Sequence, residues 1–308
     1  MTKTSTKYHD IDGVILLDKP LDLSSNAALQ KVKRLFKARK AGHSGSLDPL
    51  ATGLLPLCLG EATKFSQFLL EADKVYLVTA ELGIKTATGD AEGEIIQRRE
   101  FTPFSEKHLL TILEKFIGTI DQLPSMYSAI KHQGQPLYKL ARQGIVVERK
   151  IRQVQIFTLD LLSHNETQLV LQVRCSKGTY IRTLIDDIGE ALGCGAYVKS
   201  LRRTVVGPYR EEQMVTLSEL EKITEENAFE LLQKYLLPLD SALSDWQELR
   251  LSEAAAYYLR RGQPVIVPYA PTSGWVRLRL TNGNFLGLGE ILDDGRVAPK
   301  RLVMQIAK

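Results

Sequence analysis

The sequence predicts an α+β fold: a mixed or antiparallel sheet with helices beside it, continued by a small β-barrel or roll at the C-terminal end. Three observations carry this. Strand-like runs outnumber helices of crossover length and often follow one another directly, which disfavours a doubly wound parallel sheet. Neither a Walker A sequence nor G-x-G-x-x-G occurs. Past position 248, short apolar runs are separated by the turn signals Asn282-Gly283 and Asp293-Asp294-Gly295.

In chain order, Gly13 to Asp18 is a strand that a Lys19-Pro20 turn ends, since proline cannot donate to a ladder. A helix follows, capped by Ser24, Ser25 or Asn26, with Ala28, Val32, Leu35 and Phe36 on its apolar face. The opposite face carries Lys31, Lys33, Arg34 and Lys37 and continues into Arg39 and Lys40. No acidic residue lies between Asp22 and Asp48, so this positive field is not cancelled locally. It reads either as a solvated helix face or as a surface for phosphates.

Positions 42–56 read as a shaped loop, because its glycines, prolines and small hydroxyl residues would be wasted in regular structure. Strands are expected at 75–83, 93–98, 146–162 and 168–176, and helices at 61–71, 105–116, 136–142 and 180–192. A charged helical stretch, 216–235, leads to the tail, where a helix at 251–261 precedes strands near 264–267, 275–280, 284–291 and 296–303. The chain therefore divides into residues 1–248 and 249–308, without an internal repeat.

The 308 residues carry 40 Lys+Arg and 36 Asp+Glu, a net charge of +4, with 44% apolar and 25% charged residues. That composition excludes disordered and collagen-like chains. No apolar run approaches the roughly 20 residues of a membrane span, and Met1 to Asp10 is polar, so a cytosolic protein is expected. Cys58, Cys175 and Cys194 are too few and too scattered for a disulfide framework. The five histidines never take metal-ligand spacing. The expected chemistry uses neither metal nor cofactor.

The stretch Gly42-His-Ser-Gly-Ser-Leu-Asp48-Pro-Leu-Ala-Thr-Gly53 places one carboxylate in a shaped loop. A serine nucleophile is the first alternative and fails, because G-x-S-x-G requires glycine where Ser46 stands. Asp48 is then either an Asx-turn residue before Pro49 or a catalytic carboxylate.

This stretch resembles the catalytic motif of the bacterial tRNA pseudouridine synthase B family. Other segments agree in order: Gly13-Val-Ile-Leu-Leu-Asp-Lys-Pro20 with Ser24-Ser25-Asn26; Leu59-Gly60-Glu61-Ala62-Thr63-Lys64 with Lys74-Val75-Tyr76; Lys177-Gly-Thr-Tyr-Ile-Arg-Thr183; Gly193-Cys-Gly-Ala196; and Leu201-Arg202-Arg203. The tail, with Gly287-Leu-Gly-Glu-Ile291 and Arg296-Val-Ala-Pro-Lys-Arg-Leu302, resembles the family's PUA-type RNA-binding domain.

The resemblance implies a pseudouridine synthase catalytic domain, a PUA-type domain and isomerisation of uridine 55 in the tRNA T loop. It implies a flipped nucleotide, catalytic Asp48, Tyr76 and Arg182, and substrate contacts by His43, Lys64, Tyr180, Leu201, Lys19 and Pro20. Arg182 is expected to pair with Asp48 and lower its pKa. Tyr76 is expected to stack on the base and to help proton loss from C5, Tyr180 and Leu201 to wall the pocket, and His43 to fill the vacated nucleotide's space. The implied partner is the tRNA T arm, with no membrane and no obligatory protein partner, and the chain is expected to be a monomer. The competing reading is an RNA-binding or tRNA-folding module in which catalysis is secondary. Without the resemblance, Tyr76, Tyr180 and Leu201 read as core residues, and Arg182 as a surface arginine.

Overall fold

A computed structural model of the chain describes residues 8–128, 130–225 and 229–304. Most of the polar opening, residues 226–228 of the expected charged helical stretch and the last four positions lie outside the described residues.

The main sheet has ten strands. Its path runs from Val215–Thr216 through Gly13–Lys19, Ala51–Leu59, Ala196–Val206, Lys74–Leu82, Gln168–Cys175 and Arg152–His164 to Gly118–Gln122. Most neighbours are antiparallel. Gly13–Lys19 pairs in parallel with Val215–Thr216, and Ala196–Val206 in parallel with Ala51–Leu59, so the sheet is mixed.

The largest departure from expectation is Ala51–Leu59, which falls partly within the stretch read as loop. Leu54, Leu55, Leu57 and Leu59 are all fully buried. Leu54 and Cys58 face one core while Leu55, Leu57 and Leu59 face another, and Val14 and Leu16 alternate in the same way with Ile15 and Leu17. A strand covered on both faces has no polar alternation to announce it. Pro56 is tolerated because its carbonyl, and hence its nitrogen, points toward the Ser44 side, away from the Gly13–Lys19 ladder.

The loop proper therefore shrinks to 44–50, between the short Ala41–His43 strand and Ala51–Leu59. Two further strands, Gly118–Gln122 and Ala196–Val206, had no clear alternation. The expected strand at 146–162 begins only at Arg152, and 264–267 contributes a single bridge, Val265 to Val297. The helix at 61–71 is a 3-10 turn, Gly60–Lys64, followed by Ser66–Glu71.

The helices Ser25–Leu35, Glu106–Glu114 and Ile181–Ala191 pack onto the larger core. Ser24 caps the first by accepting a hydrogen bond from Ala27 N at 3.2 Å, and Ala28, Leu29 and Val32 form its buried face. Gly53 shows why two strands can approach here: at φ +96° an added Cβ would lie 2.3 Å from Arg203 O.

The tail's sheet runs Glu248–Leu251, Gly274–Leu280, Phe285–Ile291, Val297–Leu302, with the helix Glu253–Arg260 packed against it. It is seated firmly on the larger sheet's body. Phe65, Leu243, Phe285 and Leu288 form a shared apolar cluster. Beside it, the nearly buried Asp240 is held by Arg277 at 3.3 Å and by Arg279. Arg301 Nη1 donates to Lys64 O at 2.9 Å.

Candidate active site

The Asp48 loop is fastened from several sides by residues of the first motif. Ser25 Oγ donates to Leu47 O at 3.0 Å and accepts from Leu47 N at 2.7 Å, pinning the residue before the aspartate. Lys19 Nζ donates to Pro20 O, Leu23 O and Pro49 O at 2.8, 2.6 and 3.2 Å, closing the residue after it. Ser44 N donates to Pro56 O at 3.3 Å, and Ala51 N to Asp48 O at 3.1 Å. Such a network fixes a carboxylate on a loop with the precision usual for regular elements.

Asp48 opens into a cleft of about 870 Å³. His43, Asp90, Tyr127, Arg142 and Arg182 stand around the same space. Arg182, on the first turn of Ile181–Ala191, is 7% exposed and spreads its guanidinium over four acceptors. Nη2 meets Asp48 Oδ2 at 2.9 Å and donates to Tyr127 O at 2.8 Å. Nη1 meets Asp90 Oδ2 at 3.1 Å and donates to Thr88 O at 3.0 Å.

Asp90 is the residue that sequence reasoning missed. It follows Gly89 in a turn, where aspartate is ordinary, and only the fold brings it under Arg182. Thr88 Oγ1 donates to Asp90 Oδ1 at 2.5 Å, and Glu92 N donates to it at 3.2 Å. The two carboxylates differ in access: the side chain of Asp90 is 3% exposed and that of Asp48 44%. Asp48 is thus the one a ligand reaches.

Sharing the arginine changes the electrostatics expected from the sequence. Desolvation by the cleft walls raises the Asp48 pKa although its side chain stays partly exposed, Arg182 pulls against this, and the nearby Asp90 charge raises it further. Arg182 lowers the pKa as expected, but desolvation outweighs it and the net shift is upward. His43 is pushed the other way by burial and then by Arg203, which favours a neutral ring.

The other expected site residues divide. Tyr76, on Lys74–Leu82, is partly buried against the core next to Arg203, near enough to Asp48 for the two charges to interact. The backbone of Tyr180 is fixed by Gln122, which accepts from its N–H at 3.0 Å and donates to its carbonyl at 3.2 Å. Leu201 pairs with Ala51 and Val78 and belongs to the larger core.

Lys19, expected to touch substrate, is fully buried, with its ammonium on three backbone carbonyls; burial lowers its pKa to about 8 against the pull of Asp48. It shapes the loop instead. Pro20 lies on a separate hollow with Asp18 and Arg202. Lys64 is directed to the tail: it meets Glu61 at 2.7 Å and donates to Leu302 O at 2.8 Å.

Along the basic helix, Lys31 reaches Glu221 at 3.9 Å, so one cation of the expected field is partly offset by a distant segment. Lys33, Arg34, Lys37 and Lys40 have no carboxylate within 4 Å among the described residues. Among those residues no group of three or more His, Cys, Asp or Glu side chains could hold a metal. All three cysteines are buried, and burial raises the Cys58 thiol to about 12.

Residues 33–181 match the model for the TruB family pseudouridylate synthase N-terminal domain. Residues 182–244 match the tRNA pseudouridylate synthase B C-terminal domain, and 248–303 the pseudouridine synthase II TruB C-terminal model. A tRNA pseudouridine synthase B from Coxiella burnetii (strain RSA 493 / Nine Mile phase I) is 59% identical over 295 residues, 96% of each chain. The chain belongs to the TruB family of pseudouridylate synthases. Another member, the tRNA pseudouridine synthase B of Pseudomonas fluorescens (strain Pf0-1), is 57% identical over 98% of this chain and 99% of its own.

Among solved structures, a Cbf5-Nop10-Gar1 complex matches with a TM-score of 0.71 and 25% identity, covering 95% of this chain and 85% of that one. An H/ACA RNP bound to a substrate RNA containing 2'-deoxyuridine matches in fold, with a TM-score of 0.72 at 23% identity over 95% of this chain and 85% of that one. The TruB-family chain is accordingly a uridine-isomerising enzyme of tRNA modification, with a small PUA-like β domain at its C-terminal end. No helix among the described residues is long and apolar enough to cross a membrane.

Proposed function

We propose that this enzyme isomerises the T-loop uridine conventionally numbered 55, extruded from the folded tRNA arm into the Asp48 cleft. Loop nucleotides suit protein readout better than an intact A-form helix, and chemistry on a base requires the base to leave its stack. The observation that carries the reading is the Asp48 carboxylate, facing the cleft, locked on a shaped loop and paired with a buried arginine.

The reaction breaks the N1–C1′ bond, rotates the retained base and joins C5 to C1′. Asp48 acts at the ribose, either as nucleophile or as the base that begins elimination. A glycosidase needs a second carboxylate to activate water. Here Asp90 is turned into Arg182 and Glu92 also lines the cleft, and excluding water protects an intermediate that hydrolysis would destroy. Arg182 aims Asp48, Tyr76 backs the base with Tyr180 and Leu201 behind it, and His43 fills the space the nucleotide leaves.

Residues 1–248 carry the chemistry and 249–308 extend the grip on RNA, in a cytosolic monomer that needs no obligatory protein partner. The basic ridge at Lys33 to Lys40 adds phosphate contacts, which are sequence-independent and salt-sensitive. Mapping pseudouridine on an unmodified tRNA transcript tests the assignment: product is expected at position 55 alone, and product elsewhere or none overturns it. RNA binding without product would favour the folding module.

Deleting the tail would uncover Phe65, so substitution tests its role better. Arg250 and Arg261 are exposed, and Arg261 lies 4.1 Å from the Tyr257 ring centroid. Arg250→Glu with Arg261→Glu should weaken tRNA binding about tenfold or more and flatten its salt dependence, leaving the saturated single-turnover rate unchanged. A fall in that rate at saturating enzyme would contradict the division of labour.

The raised Asp48 pKa gives a pH prediction. If ionised Asp48 is the active form, the rate falls on the acid side at a pH above that of an ordinary carboxylate. Removing the Asp90 charge removes one cause of the rise. Asp90→Asn should therefore move the acid limb to lower pH while lowering the plateau; a limb moving to higher pH would refute the electrostatic account.

A further inference from the structure

Arg203 is a charged side chain with no part in the proposed steps at Asp48. It is 1% exposed, among the largest fully buried side chains, and has no carboxylate within 4 Å among the described residues. A buried cation without an anion is strongly disfavoured unless something compensates it. Its strand position shows what surrounds it. In the Ala196–Val206 strand, Arg203 pairs with Gly53 on one side and with Tyr76 on the other.

The guanidinium then turns under the catalytic loop. Nε donates to Leu54 O at 2.8 Å and Nη2 to Gly45 O at 3.2 Å, while a Cβ added to Gly45 would touch Nη1 at 3.5 Å. One side chain thus joins the start of the Asp48 loop, the strand that leaves it and the strand that carries Tyr76. The phenol is raised by burial, and the Arg203 charge is the largest influence opposing that rise; Asp48 and Cys175 add to it.

We propose that Arg203 is a positioning residue for the isomerisation, holding the Gly45 end of the catalytic loop and serving as the counter-cation of a Tyr76 phenolate that takes the proton from C5. This rests on the pseudouridine synthase reading of the cleft. Once C5 has joined C1′, C5 still carries its hydrogen. The C5–H bond breaks, its proton passes to the phenolate oxygen, and its electron pair closes the C5=C6 bond. N1 takes a proton from solvent, balancing the one that the phenol released to solvent when the phenolate formed. A phenolate beside the Arg203 guanidinium makes a neutral pair in a place where no carboxylate lies within 4 Å among the described residues.

The test uses the full-length enzyme with tRNA transcripts containing ordinary or C5-deuterated uridine, under single turnover. Arg203→Gln, which keeps polar donors but loses the charge, should slow product formation about 10²-fold, in the range of a lost proton-transfer contribution. It should also show a C5 deuterium isotope effect larger than that of the parent enzyme, with tRNA affinity within about threefold. Arg203→Lys retains the charge and should recover part of the rate and lower the isotope effect; it also serves where the glutamine variant does not fold. A rate loss that tracks a lowered denaturation midpoint, with an unchanged isotope effect in both variants, would make Arg203 merely structural and overturn the proposal. A parent enzyme that forms no pseudouridine would refute the underlying reading of the cleft instead.

Discussion

Arg182→Lys lowers the rate of pseudouridine formation by about 10²- to 10³-fold in single-turnover assays, with little change in tRNA affinity. Lysine keeps the charge but loses the planar fork that reaches Asp48, Asp90, Thr88 O and Tyr127 O together. A misaimed carboxylate loses the advantage of positioning, which is large for a reaction inside a closed cleft. Arg182→Met goes further, because it strands the buried Asp90 charge. Removing one partner of a buried pair costs about 3–5 kcal/mol, and the denaturation midpoint should fall accordingly. Near-normal rate and stability in both variants would mean that the arginine is incidental.

Asp48→Asn separates activity from stability in the opposite direction. The asparagine can accept hydrogen bonds but can neither attack C1′ nor accept a proton from the ribose, so turnover should fall by about 10⁴-fold or more. Its stability should hold or rise. The folded-state pKa of Asp48 is raised by burial, so its charge opposes folding. That penalty is absent below the ordinary carboxylate range and grows as pH rises through the raised value. The variant should therefore gain most over the parent in denaturation experiments at neutral pH and gain nothing in acid. A variant less stable at neutral pH would show that the carboxylate holds the loop together.

These contrasts explain what was legible in the residues alone. Asp48 stood out because glycine, proline and hydroxyl residues crowd around it, and the loop's exceptional chemistry is local. Lys19 was equally visible within a motif, yet its function depends on burial: the ammonium bonds three carbonyls and never reaches the cleft. The place of Lys64 is hidden for a related reason, since its partner Leu302 lies far along the chain. Asp90 gave no signal, because an aspartate after glycine fits any turn and its partner Arg182 is distant in sequence.

The fold shows the same division. Helices with one apolar face, such as Ser25–Leu35, were readable from spacing and caps. Ala51–Leu59 was not, since two cores cover both of its faces and remove the alternation. Ala196–Val206 was hidden by Lys199, Arg202 and Arg203, and only the last of these is fully buried. The charges that blurred the strand's apolar pattern include the one that now ties the Asp48 loop to Tyr76.

The central claim is that the Asp48 carboxylate performs the chemistry while the rest of the cleft and the tail hold the RNA. The most direct measurement is pseudouridine formation and tRNA affinity of Asp48→Asn on one unmodified tRNA transcript. The account predicts lost product with affinity close to that of the parent enzyme. Full turnover, or a loss of affinity as large as the loss of product, would contradict it.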